Sequence, residues 1–180
     1  MNEKDEPIGF EEKIKAHEDG GHLHRAFSVV VFNKDGKSLL QLRSVKKHHF
    51  GGLWTNTVCS HPRKGEDVSA AAHRRLKEEF GFDIPLKERY SFIYKAADPQ
   101  SGLTEWEYDH VFTGTYDGTP QPDAKEIDDW KWESPSDILR ELEKNPGGYT
   151  FWSKLIFKKL FADAKAIDSH QHAGKSETKR

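Results

Sequence analysis

The sequence predicts an α+β domain built on a mixed β-sheet, and two observations carry that expectation. Segments of strand character come in two groups separated by one helical pattern and followed by two more, an order that departs from the strict alternation of an all-parallel sheet. The chain of 180 residues, with a net charge of -2 and one Cys, has the length of a single domain and no charge imbalance that would hold it open. Leu, Ile, Val and Phe supply 38 residues, just above the range of disordered compositions.

Residues 24–32 (HRAFSVVVF) are rich in β-branched and aromatic side chains, Asn33 to Gly36 (NKDG) supply turn chemistry, and 38–44 (SLLQLRS) return, so the stretch reads as a hairpin. A loop rich in Lys, His and Gly spans 45–66. Across 67–80, Val68, Ala72, Leu76 and Phe80 recur every four residues, the spacing of one helical face, and Gly81 stops the helix. Strands are expected near 89–97 and 105–115, with Asp98-Pro99 turning between them, and at 127–134. Ser134 as N-cap and Pro135 as first helical residue open a helix to about Glu143, Pro146-Gly147-Gly148 break it, and Phe151–Phe161 carry the last apolar helical pattern. The expected division is an N-terminal segment 1–23, a folded domain 24–162 and a disordered tail 163–180, with no internal repeat.

Several classes fall away. No stretch approaches the ~20 apolar residues needed to cross a bilayer, and the start MNEKDE is unlike a signal peptide, so a cytoplasmic protein without a membrane partner is expected. Cys59 has no second cysteine to pair with. Balanced charge and a pI near 6.6 argue against a nucleic-acid partner.

Three constellations could carry chemistry. Six of the ten histidines lie within the first 61 residues. In GLTEWEYDHVF, alternation puts Glu105, Glu107, Asp109 and Val111 on one face of a strand, leaving two glutamates roughly 7 Å apart. Such a pair is either a solvated face or the two carboxylates of a shared cation; with imidazoles nearby the donors would be mixed N and O, suited to Zn, Mn or Fe. Arg75 and Glu79 stand one helical turn apart in the less favourable order for a surface ion pair, which leaves room for a diphosphate and its Mg2+. Cys59, two residues before His61, is either a packing residue or a thiol tuned by charge around it.

Together WTNTVCSHP (54–62), the pair His17 and His24, RRLKEEFG (74–81) and TEWEYDHVF (104–112) resemble the type I isopentenyl-diphosphate Δ-isomerases of the Nudix superfamily, over about Glu6 to Leu160. The general Nudix pattern, G-x5-E-x7-R-E-U-x-E-E-x-G-U with U aliphatic, runs from Ser60 to Phe82: Glu66, Arg74, Leu76, Glu78, Glu79 and Gly81 agree, while Ser60 and Phe82 depart. Arg75 stands where a Nudix hydrolase has a glutamate, which disfavours the hydrolase alternative and matches the isomerases. A non-catalytic Nudix-like binding protein is the third reading.

The resemblance implies a Nudix-type fold with the mixed sheet sandwiched between helices. It implies conversion of isopentenyl diphosphate to dimethylallyl diphosphate by antarafacial proton transfer through a tertiary carbocation, on a monomer or homodimer. Residue by residue, it implies a divalent metal (Mn2+, Zn2+ or Mg2+) on His17, His24, His61, Glu105 and Glu107. A Mg2+ on the substrate diphosphate would be held by Glu79 and the main-chain carbonyl of Cys59. Lys13, Arg43, Lys47 and Arg75 would contact phosphate oxygens, His48 standing where some relatives carry another Lys. Cys59 and Glu107 would be the catalytic pair with Tyr94 beside Glu107, and Trp152 would face the isoprenoid carbons. The polar stretch Glu18 to Gly21 is expected as a hinge for the segment carrying Lys13 and His17. Relatives usually have an N-terminal strand that this sequence does not obviously supply.

Overall fold

The computed structural model describes residues 1–173. Strand β1 (His24–Phe32) is buried on both sides, since alternate residues send Phe27, Val29 and Val31 one way and Ala26, Ser28 and Val30 the other. It is therefore central, with a layer on each face. The sheet runs β3 (Trp54–Thr55), β2 (Ser38–Arg43), β1, β6 (Thr104–Thr115), β5 (Lys87–Ala97), while β4 (Val58–Ser60) pairs with β1 and β7 (Ile127–Glu133) with β2. β1 and β6 run parallel from His24 opposite Glu107 to Phe32 opposite Thr115, and the other pairs are antiparallel. The sheet is mixed, as expected.

Helix α2 (Val68–Phe80) covers one face, where Ala71, Ala72, Leu76 and Phe80 pack with Phe27, Val29, Val31 and Phe112. Asp67 caps its first turn by accepting from the Ser69 and Ala70 amides, and Gly81 ends it at φ 76°, a left-handed conformation that a Cβ would strain. Helices α3 (Pro135–Lys144) and α4 (Phe151–Ala173) cover the other face through Ile138, Leu142, Trp152, Ile156 and Phe157, against Val30, Leu40, Tyr94 and Val111. Leu76 has no exposed surface, so Leu76→Ala should cost about 2–5 kcal/mol of stability, read as a lowered urea midpoint at unchanged slope.

Four local features differ from the sequence reading. The 24–44 hairpin exists only at its turn, where Asn33 Oδ1 accepts from the Asp35 and Lys37 amides. β1 and β2 pair at Phe32 and Ser38 and then part, because β4 and β6 occupy the two edges of β1. The 45–66 loop contains β3 and β4, too short to show alternation. A short helix, α1 (Lys13–His17), forms in the N-terminal segment, capped by Glu12. α4 continues through Ala173 where an unstructured tail was expected, since neither Pro nor Gly interrupts 163–173; residues 174–180 lie outside the described part. No strand precedes α1, but Asp5 accepts from Arg25 Nε at 2.7 Å and so fastens the first residues to β1.

Candidate active site

The parallel pairing of β1 with β6 sets His24 beside Glu107 on the sheet face shared by Glu105 and Asp109. β4, antiparallel to β1, brings Cys59 opposite Ser28 and His61 just beyond the strand, and α1 lays His17 over Glu105. Glu105 and Glu107 are 4% and 6% exposed, which rejects the solvated-face alternative. His17, His24, His61, Glu105 and Glu107 each offer one ligand atom, all within 4.8 Å of one another.

The chemistry of this donor set fits a divalent metal. His17 Nδ1 donates to the Lys13 carbonyl at 2.6 Å and His24 Nδ1 to the His22 carbonyl at 2.7 Å, which leaves Nε2 of each ring as the atom for a proton shared with a carboxylate or for a metal in its place. Those Nε2 atoms face Glu105 Oε2 at 2.8 Å and His61 Nε2 at 3.1 Å, and His61 Nε2 lies 2.8 Å from Glu107 Oε1. A proton between two acceptors relieves one such contact, whereas a cation in their midst relieves all of them. Burial also pushes His61 well below the usual histidine range, which keeps its ring neutral.

Next to this group opens a cavity of about 250 Å3. Cys59, Glu107, Tyr94 and Trp152 line it together with Lys13, Arg43, Lys47 and Arg75. Arg43 reaches in over Trp152, its Nη1 3.6 Å from Cys59 Sγ, and the Tyr94 hydroxyl donates to Glu107 Oε2 at 2.5 Å. Burial pushes the Cys59 thiol up to about 11, against the pull of Arg43, so the sulfur keeps its proton at neutral pH. Burial also opposes the charge on Glu107, but the neighbouring His24 imidazole and Tyr94 phenol outweigh it and hold the carboxyl below its ordinary range. The pair thus begins with one transferable proton, on sulfur.

Every site residue expected from the sequence lines this cavity or belongs to the five-donor group except Glu79, which lies directly behind Arg75, close enough for its charge to act on Cys59. Its carboxylate is buried, Oε1 accepting from Arg75 at 2.5 Å and Oε2 from Gln41 Nε2 at 3.1 Å. Two residues went unread in the sequence. Glu126 pairs with both Lys47 and Arg75, drawing the two expected phosphate contacts together. His49, buried, bonds Glu105 through Nε2 at 2.5 Å. The adjacent His48 and His49 were the available signal for the latter, while Glu126 lies in a polar turn like many others.

The NUDIX domain pattern matches residues 22–153. An isopentenyl-diphosphate Delta-isomerase of Halorhodospira halophila is 48% identical over 162 residues, 89% of this chain and 90% of that one. Isopentenyl-diphosphate Delta-isomerase 2 of Aromatoleum aromaticum is 46% identical over 152 residues, 84% of this chain and 79% of its own. Among solved structures, DR0079 from Deinococcus radiodurans superposes with a TM-score of 0.69 at 21% identity, over 86% of this chain and 93% of that one, which shows the fold. With the fold, the Arg75 departure and this level of likeness in agreement, the chain belongs to the Nudix superfamily and, within it, to the isopentenyl-diphosphate Delta-isomerase family.

Proposed function

We propose that the chain converts isopentenyl diphosphate to dimethylallyl diphosphate, adding a proton at C4 and removing one from C2 on the opposite face of the alkene. The observation that carries this is the presence of a protonated thiol and an ionised, tyrosine-bonded carboxylate on the wall of one cavity whose rim is cationic.

An unactivated alkene is a very weak base, so an acid must be close, water must be excluded, and the tertiary cation must be stabilised. The indole of Trp152 offers cation–π attraction of ~2 kcal/mol. That is small beside the roughly 8–23 kcal/mol of enzymatic acceleration, so positioning does most of the work. Lys13, Arg43, Lys47 and Arg75 grip the diphosphate, and their binding energy orients the short apolar tail between Cys59 and Glu107. Lys47 and Arg75 exchange Glu126 for phosphate oxygens as the substrate enters. Tyr94 fixes the Glu107 carboxyl in the orientation from which it exchanges its proton with the substrate carbon.

His17, His24, His61, Glu105 and Glu107 are the residues we assign to a Mn2+, Zn2+ or Mg2+ ion, which when bound supplies fixed positive charge that holds the Glu107 carboxyl ionised and readies it to release any proton it takes up. Glu79 and the Cys59 carbonyl are assigned to the Mg2+ that arrives on the substrate. The thiol must stay reduced, which supports our reading of a cytoplasmic enzyme, taken as a monomer or homodimer.

Incubation with isopentenyl diphosphate and Mg2+ in D2O should yield dimethylallyl diphosphate carrying deuterium. Release of inorganic phosphate with no new allylic product would instead identify a hydrolase.

A further inference from the structure

The five-donor group leaves one buried imidazole beside it unexplained. We propose that His49 is a positioning residue for the metal site: it fixes which oxygen of Glu105 faces the cation and ties that ligand to the loop carrying Lys47. The inference rests on the reading that the five-donor group holds a divalent cation.

His49 is 8% exposed, and its Nε2 lies 2.5 Å from Glu105 Oε1. Its Nδ1 is buried with no partner. Only one tautomer suits both facts. A proton on Nδ1 would strand a buried N–H and set an Nε2 lone pair against a carboxylate oxygen, whereas a proton on Nε2 makes a hydrogen bond and leaves a mere lone pair unpaired. The imidazoles around Glu105 are therefore sorted by tautomer. His17 and His24, whose Nδ1 atoms donate to main-chain carbonyls, keep Nε2 as the atom a cation would take, and His49 presents an N–H.

The consequence falls on Glu105. With Oε1 taken by His49, Oε2 is left 2.8 Å from His17 Nε2 and 3.9 Å from His24 Nε2, so the carboxylate meets the donor group through a single oxygen. Without the His49 bond the carboxylate could rotate and present either oxygen or both, and part of the binding energy would be lost to ordering it.

The main chain of His49 is held as firmly as its ring. Arg43 donates from Nη2 to the His49 carbonyl at 3.2 Å and from Nε to the Phe50 carbonyl at 3.0 Å, while the Phe50 amide donates to Asp98 Oδ2 at 3.0 Å. Phe50 sits at φ 50°, a conformation that persists only where its surroundings enforce it. Arg43 also reaches the Cys59 sulfur, so His49 links the metal ligand Glu105 to the loop and arginine that face the diphosphate. An ordered Glu105 and an ordered loop thus favour each other.

The test compares His49→Phe, which fills the volume without an N–H, with His49→Gln, whose amide restores one; His49→Ala replaces the first if it does not fold. Mn2+ alone is titrated against each metal-free protein, the free ion being followed by electron paramagnetic resonance. His49→Phe should bind Mn2+ about 10- to 100-fold more weakly, and His49→Gln should recover most of that loss, as expected for a partner of a metal ligand. At saturating Mn2+, KM for isopentenyl diphosphate should rise in His49→Phe more than kcat falls. Equal Mn2+ affinity in wild type and His49→Phe overturns the inference, as does an equal loss in both variants accompanied by a lower metal-free melting temperature, which would make His49 a packing residue. A wild-type chain that retains no Mn2+ overturns the metal reading itself, and that outcome is visible before any variant is made.

Discussion

Cys59→Ala is expected to reduce turnover of isopentenyl diphosphate by about 10^4-fold, the upper end of what a positioned proton-transfer group contributes. The large figure follows from the surroundings of the sulfur. Arg43 Nη1, 3.6 Å away, is a cation that cannot take over as acid at neutral pH; Lys13 and Lys47 on the same wall are the expected phosphate contacts, and Tyr94 is bonded to Glu107 and pushed far up by burial. The fold should not notice. Cys59 is half-buried at the margin of the core, and its place in the sheet depends on the backbone pairing of β4 with β1. Melting temperature and Mn2+ retention should therefore match the wild type while deuterium incorporation from D2O disappears. Undiminished turnover would remove Cys59 from the chemistry and leave the cationic rim without its acid.

The parts of the protein that could be read from the sequence are those with a local signature. Helix α2 announced itself through Val68, Ala72, Leu76 and Phe80 and was closed by Gly81; Ser134-Pro135 marked the start of α3; alternation in β6 put Glu105 and Glu107 on one face. What was not legible depends on pairings distant in the chain. Nothing near His24 says that it will lie parallel to Glu107, more than 80 residues on, and nothing in SLLQLR says that its partners are β7 and β3 rather than the adjacent β1. β3 and β4 span two and three residues, below the length at which a period of two can be seen. The site followed the same rule. The Glu105 and Glu107 pair stood out as carboxylates on one strand face and the resemblance supplied the rest of the five-donor set, but His49 acts through Glu105 from 56 residues away, and a histidine in a loop of lysines looks like a solvated one until its burial is known.

Glu107→Gln should lower turnover by about 10^4-fold as well, yet its effect on the metal-free protein should run opposite to that of an ordinary broken ion pair. If the five-donor group were a structural salt-bridge network, removing one charge would leave the buried partner uncompensated and cost about 3–5 kcal/mol. The geometry argues otherwise. Glu105 and Glu107 are two buried acids on one strand face, each opposing the other's charge. A neutral amide at position 107 removes one of the two like charges and can donate to His61 Nε2, 2.8 Å from the present Oε1, so the metal-free variant should melt no lower than metal-free wild type. Added Mn2+ should raise the melting temperature of wild type and stabilise the variant less, since a carboxylate ligand has become an amide. Tyr94→Phe separates orientation from proton transfer: it leaves all five donors in place and removes only the 2.5 Å bond to Oε2, so it should retain Mn2+ and lose about 1.5–3 kcal/mol of transition-state stabilisation, a smaller fall than in Glu107→Gln. A metal-free Glu107→Gln protein that melts several degrees below wild type would show that the carboxylates stabilise the fold as they stand, and the group would then be a salt-bridge cluster with no need of a cation.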